Sequence, residues 1–429
     1  MRRRPPLGVA GVLAIAAIAA VSPSARQFAD LSPDLVREPA IAYFTTPPAD
    51  RVARLNADLQ RGTVRLAFDP DQGYLPSILQ ALRIPAASQL LVFTKSSVQA
   101  PRISPRNPRA IYFDDTVTLG YIHGAEFLEF AAEDPRQGVV FYTLDQRAVE
   151  PPVIERRDFC LSCHNNRSTL EVPGLLVRSI ATTAAGAPVP KFGNYTPDHR
   201  TPFDQRWAGY YVTGHHGSLH HLGNAMLVDR TSEARVTDDT LNLDSVQERI
   251  DAGHYLSPHS DIAALLVFEH QMHMINLLTR IGWDARMLMS THQPDARAVL
   301  DRSADELVDY LLFADEAPLP AAVTGSSGFA RQFSSAGPAD SRGRSLRQLD
   351  LRTRLLRYPC SYMVYSDAFD ALPPPARDAI YRRMWRVLSG QEEAPNYARL
   401  AAADRRAIVE ILRDTKKDLP AYFLPADFR

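Results

Sequence analysis

Apolar and polar positions change their rhythm partway along the chain. Between Leu75 and Leu82 the apolar spacing suits a short helix, and the unbroken run from Leu90 to Thr94 reads as a buried strand. Residues 110–145 then give four β-branched or aromatic runs, AIYF, TVTLGYI, EFLEFAA and GVVFYTL, separated by Asp114-Asp115, by His123-Gly124 and by Asp134-Pro135 with Gly138. That punctuation predicts an antiparallel meander. A further strand is expected over Trp207–Thr213. From about Ser257 the period turns helical. Ser260 or Asp261 can cap a run in which Leu266, His270, Met274, Leu277 and Ile281 recur at helical spacing, with Gly282 placed to close it. Residues 304–314, Pro374–Leu388 and Ala402–Arg413 predict three more helices, and the Gly/Ser/Arg-rich stretch 323–345 predicts a flexible loop. The pattern is that of an α+β protein, β-rich in front and helical behind.

Composition narrows the setting. The 429 residues are 45% hydrophobic and 23% charged, an ordinary globular balance. The 48 Lys and Arg against 49 Asp and Glu leave a formal charge of -1, and with no basic stripe a nucleic-acid partner is not expected. Arg2, Arg3 and Arg4 precede an apolar run from Leu7 to Val21, followed by Ser22-Pro23-Ser24-Ala25, the three-part layout of a secretory signal. Residues 1–25 are therefore read as a signal peptide, and the mature chain as periplasmic or otherwise extracytoplasmic. The apolar run is shorter than the roughly 20 residues that span a bilayer, so a membrane association follows only if the signal stays uncleaved. Three cysteines, Cys160, Cys163 and Cys360, are too few for a disulfide framework in an exported chain of this length.

Two of those cysteines fall in Cys160-Leu161-Ser162-Cys163-His164, a C-x-x-C-H sequence. In this spacing two thiols can add across the vinyl groups of one haem while the adjacent imidazole coordinates its iron. Random placement of 3 Cys and 12 His would give the pattern about 6 times in 10,000 chains. Its position after a secretory signal agrees, because c-type haem is attached after translocation. A thioredoxin-like motif is the runner-up, but the preceding Arg156-Arg157-Asp158-Phe159 is not an apolar strand. A zinc site would need two more ligands and has no second Cys pair. The expected cofactor is one covalent haem c, held by Cys160 and Cys163, with His164 as the proximal iron ligand.

These residues resemble the c-type cytochromes, over the motif and about ten flanking residues. In small single-haem members a Gly-Pro-x-Leu segment follows the motif, and its proline carbonyl receives the proximal histidine N–H. Val172-Pro173-Gly174-Leu175 is similar, and the resemblance implies that role for Pro173. The whole chain, with FCLSCHNN, RWAGYYVTGHHG, HLGN and EHQMHMINLLTR, also resembles a broad group of exported bacterial monohaem proteins. The resemblance implies haem and export and says little about substrate.

The sixth iron ligand decides between a carrier of electrons and a catalyst. His216, His221 and Met226 are candidates from a histidine-rich segment, which reads alternatively as a polar surface loop or as a separate Zn or Cu site through His216 with His220 or His221. His270 and Met274 are candidates from the long helix, where His270 reads alternatively as a satisfied core histidine. Glu269-x-x-x-His273 lacks the second copy a di-iron bundle requires. His199, His254, His259 and His292 lie in Pro- or Asp-rich loops and read as surface residues. Arg178, Arg200 and Arg206, and the arginine-bearing loop from Arg102 to Arg109, are candidate propionate contacts. Trp207, Tyr210 and Tyr211 read as core, and Cys360 as a buried free thiol.

The expected organisation is a signal over 1–25, a β-rich domain over 26–150, a haem-attachment segment over 151–235, and a helical region over 236–429. The expected function is electron transfer by an exported monohaem cytochrome with an unidentified redox partner. A peroxidase-like haem oxidoreductase with an open distal site is the alternative. A third reading makes the haem segment the anchor of a larger partner-binding protein.

Overall fold

Alternating side chains between Leu90 and Asp145 build the sheet that the sequence pattern predicts. The computed structural model describes residues 35–227, 241–291 and 296–424. The expected signal over 1–25 and His292 lie outside the described residues. Two helices come first, α1 (Arg51–Gln60), capped by the Asp50 carboxylate, and α2 (Leu75–Ala81). Six antiparallel strands follow in chain order: β1 (Leu90–Val92), β2 (Arg109–Phe113), β3 (Val117–Tyr121), β4 (Phe127–Asp134), β5 (Gly138–Asp145) and β6 (Ile154–Arg156). The expected meander is thus present, with one further strand at its end. Its register places Gly120 opposite Glu129 and Glu129 opposite Thr143, and further along the same face Thr118, Ala131 and Phe141 line up in turn.

That inner face packs on the helical half. After the one-turn helix α3 (Leu161–His164) and a two-stranded ribbon of β7 (Ser179–Ile180) and β8 (Asn194–Tyr195), the helix α4 (Ile262–Thr291) runs through the interior. The Asp261 carboxylate receives the Ala263 N–H at 2.8 Å, the expected cap. Leu266, His270, Met274, Leu277 and Ile281 are all buried, as their spacing implies. Phe268 reaches the sheet at Phe113, ring centroids 4.9 Å apart. Gly282 does not end the helix, which continues to Thr291, because α4 is buried on every side around it and neighbours rather than a stop residue set its length. No helix among the described residues is long and apolar enough to cross a membrane.

The remaining helices, α5 (Ala296–Leu311), α6 (Phe329–Ser335), α7 (Asp367–Asp370), α8 (Pro374–Leu388) and α9 (Ala402–Thr415), complete the α+β architecture. α6 corrects the expectation of an unstructured 323–345 loop. Phe329 and Phe333, four apart, are buried against Phe113 and Tyr362, so two aromatic anchors order a segment whose composition reads as linker. The strand expected over Trp207–Thr213 is also absent. Trp207 and Gly209 take positive φ of 68° and 85°, which breaks the ladder, and only isolated bridges join Tyr210 to Val92 and Thr213 to Asp261.

Candidate functional site

The edge strand β6 delivers the chain to the C-x-x-C-H turn. Arg157 ties the exit back to β5: its N–H donates to the Phe141 carbonyl at 2.8 Å and its Nε to Thr143 Oγ1 at 2.8 Å. One 3-10 turn (Asp158–Cys160) then runs into α3. Cys160 and Cys163, three apart on this turn, project from the same side. Cys160 is half-buried and Cys163 exposed, and burial pushes the Cys160 thiol up to about 11. Phe159 beside them is 52% exposed.

His164 is fixed from two directions. Its ring lies against Phe141, centroids 4.8 Å apart. Its Nδ1 lies 3.0 Å from the Gly174 carbonyl oxygen, while the Gly174 N–H donates to the His164 carbonyl at 2.9 Å. A carbonyl can only accept, so Nδ1 carries the proton and the lone pair sits on Nε2, the atom a metal takes. Burial lowers the imidazole pKa, which keeps the ring neutral. The carbonyl partner differs from the resemblance by one residue. The Pro173 carbonyl instead receives the Val139 N–H at 3.1 Å, locking the returning segment to β5 and presenting Gly174 to the histidine. From α4, Asn276 closes the frame: Oδ1 receives the Leu175 N–H at 3.2 Å and Nδ2 donates to the Leu175 carbonyl at 2.8 Å. Two thiols on one turn and a neutral imidazole with an oriented Nε2 fit covalent haem.

The distal candidates are placed differently. Nδ1 of His270 lies 2.8 Å from Nδ1 of His199, and its Nε2 lies 2.7 Å from Ser361 Oγ, so both ring nitrogens are engaged. His199 is therefore not a surface residue; it stacks on Tyr310 and Phe313 at 4.0 and 4.5 Å and is 3% exposed. Apolar ring faces of imidazole override the polar loop composition around it. Met274 is fully buried in the same core. His216 and His221 are also buried, contrary to a surface-loop reading, with their Nε2 atoms 3.2 Å apart. His221 Nδ1 accepts the Gly223 N–H at 3.0 Å, so its Nε2 holds the proton and donates to His216. That arrangement spends the lone pairs a Zn or Cu ion would need, and no cluster of three or more metal-ligating side chains occurs among the described residues. His215 and His220 are exposed, and Met226 is partly exposed.

Burial drives these imidazoles down, to about 3 for His270 and His221 and about 4 for His273. Around His270 the interior is ionic: Arg206 Nη1 meets Glu269 Oε2 at 2.9 Å with both side chains almost wholly enclosed. Burial also raises Glu269, against the pull of Arg206, to about 7. Arg200 pairs with Asp198 at 2.6 Å, and Arg178 is exposed with its Nε 3.2 Å from Asn194 Oδ1. Trp207, Tyr210, Tyr211 and Cys360 are buried as expected. The sequence left unassigned the carbonyl role of Gly174, the clamp at Asn276 and the pairing of Glu129 with Arg109; Arg109 itself ends the loop weighed for a propionate contact, and only the register of the meander pointed toward Glu129.

No family model matches the chain, and the comparisons with curated proteins and with solved structures likewise gave no match.

Proposed function

We propose that the chain is an exported monohaem c-type cytochrome that transfers electrons, its haem thioether-linked to Cys160 and Cys163 and ligated by His164. The carrying observation is the hydrogen bond from His164 Nδ1 to the Gly174 carbonyl, which orients a neutral Nε2 beside two thiols on one turn. When bound, haem supplies the one-electron chemistry. The chain's own residues do the rest. Gly174 and Phe141 hold the imidazole plane, Val139 and Asn276 hold Pro173 to Leu175, and half-buried Leu161, Leu170 and Leu175 offer apolar surface from the core. An unknown redox protein is the partner, and the compartment is the periplasm or another extracytoplasmic space.

Production where cytochrome maturation operates, followed by intact mass and a pyridine-haemochrome spectrum, tests this. One covalent haem, lost in Cys160→Ala/Cys163→Ala, is expected; a bare-chain mass overturns it.

A specific observation favours a second reading, a haem oxidoreductase whose sixth position is open to small molecules. His270 spends both ring nitrogens on His199 and Ser361, and His221 spends both on the Gly223 N–H and His216. His216 Nε2 accepts from His221 and the Asn242 N–H, whereas His199 Nε2 and His216 Nδ1 have no hydrogen-bond partner among the described residues. A high-spin ferric spectrum that responds to cyanide supports this reading, and a low-spin spectrum inert to cyanide supports the simple carrier.

A further inference from the structure

We infer that Arg109 is the carboxylate-binding residue of the attachment site and takes a haem propionate on the Nε/Nη2 edge of its guanidinium. The inference rests on the haem reading above and goes beyond it by assigning a residue to the group's anionic side. Arg109 opens β2 on the inner face of the sheet, the face that carries Phe141 and hence His164. Across the sheet Gly120 pairs with Ile111 and so lies diagonal to Arg109, and a Cβ there would come within 3.7 Å of Arg109 Cδ and 3.2 Å of Glu129 Oε2. The missing side chain lets both charged groups lie across the sheet.

The guanidinium is held but not used up. Glu129 Oε2 takes Nη1 at 3.2 Å, and Glu129 is itself fixed through Oε1 by Ser97 Oγ at 2.6 Å and Gln99 Nε2 at 3.2 Å. The Nε–H is buried and has no acceptor. Nε and Nη2 point their hydrogens the same way, forming the fork that a carboxylate fills with two parallel bonds. A fixed fork with a buried, unserved donor lacks one planar anion. Glu129 lies opposite Thr143, whose Oγ1 receives the Nε–H of Arg157, three residues before Cys160.

The other candidate arginines are committed elsewhere. Arg106 pairs with Asp251 at 2.6 Å, Arg200 with Asp198 and Arg206 with Glu269, while Arg102 and Arg178 are exposed.

Resonance Raman spectra of the haem-loaded full chain, read at the propionate bending band, test the assignment. Arg109→Lys keeps the charge beside Glu129 but loses the fork, so it should retain covalent haem by pyridine haemochrome and shift the band. Arg109→Gln should shift it at least as far, and Glu129→Gln should leave the band responsive to Arg109 replacement. A parent with covalent haem whose band is the same in Arg109→Lys and Arg109→Gln overturns the inference alone. A parent without covalent haem overturns the haem reading and the inference together.

Discussion

His199 and His270 face each other Nδ1 to Nδ1 at 2.8 Å, so one ring must donate and the other accept, and the accepting ring cannot take a proton there without breaking the contact. Burial depresses the His270 pKa from 6.5 to about 3, and His221 behaves alike. For a depressed base the stabilisation is fully present above the unfolded value and is lost as pH falls toward the folded one. Thermal melting should therefore drop steadily between about pH 6.5 and 3. His270→Ala should cost on the order of 3 kcal/mol at neutral pH, by leaving His199 and Ser361 unpaired. It should also flatten the acid limb, because unfolding then takes up one proton fewer. Melting curves across pH check both effects, and an unchanged slope would contradict the pairing.

The enclosed Arg206–Glu269 pair predicts strong asymmetry between single and double replacement. Removing one partner leaves a buried charge, so Arg206→Met or Glu269→Met alone should cost about 3–5 kcal/mol in a urea melt. The double replacement should cost clearly less than the sum. Additive losses would mean that the two side chains do not depend on each other.

Gly174 and Asn276 are close enough that a methyl at position 174 would overlap the Asn276 side chain. Gly174→Ala should therefore destabilise the chain and raise amide exchange over residues 164–176. Asn276→Ala should cost about 1–3 kcal/mol by leaving the Leu175 groups unpaired. In combination, Asn276→Ala should recover part of the Gly174→Ala loss by making room. A double-mutant cycle by hydrogen exchange and denaturation measures the coupling.

In material without haem, thiol alkylation should follow exposure and acidity. Exposed Cys163 should react first, Cys160 more slowly because burial pushes its thiol up to about 11, and fully buried Cys360 only after unfolding. Haem-loaded chain should show no reaction at Cys160 or Cys163. Peptide mass spectrometry after timed labelling gives the order.

Much of the fold was legible in the pattern of residues. The meander could be read because each strand is bounded by Asp, Gly or Pro and pairs with its sequence neighbour, and Pro374–Leu388 was bounded correctly by its proline start. The attachment turn was legible because its chemistry is local, five residues at fixed spacing. What failed depends on distant partners. His199 looked solvated between Pro197-Asp198 and Pro202, yet Tyr310 and Phe313, more than a hundred residues away, cover it. Phe329 and Phe333 lie in a stretch whose Gly, Ser and Arg content reads as a loop, and Phe113 and Tyr362, distant in sequence, supply the other side of their packing. The carbonyl that orients His164 moved from Pro173 to Gly174 because Val139, on β5, claims the proline oxygen first.

The bonds between Asn276 and Leu175 join positions 101 residues apart. On the export proposed above, the chain would cross a membrane amino-terminus first and expose its Cys160–His164 turn long before α4 emerges to clamp it. During that interval the thiols are reachable by whatever modifies them, and afterwards the clamp closes behind the histidine. The order of emergence thus separates a period for chemistry on the turn from the later period in which its geometry becomes rigid.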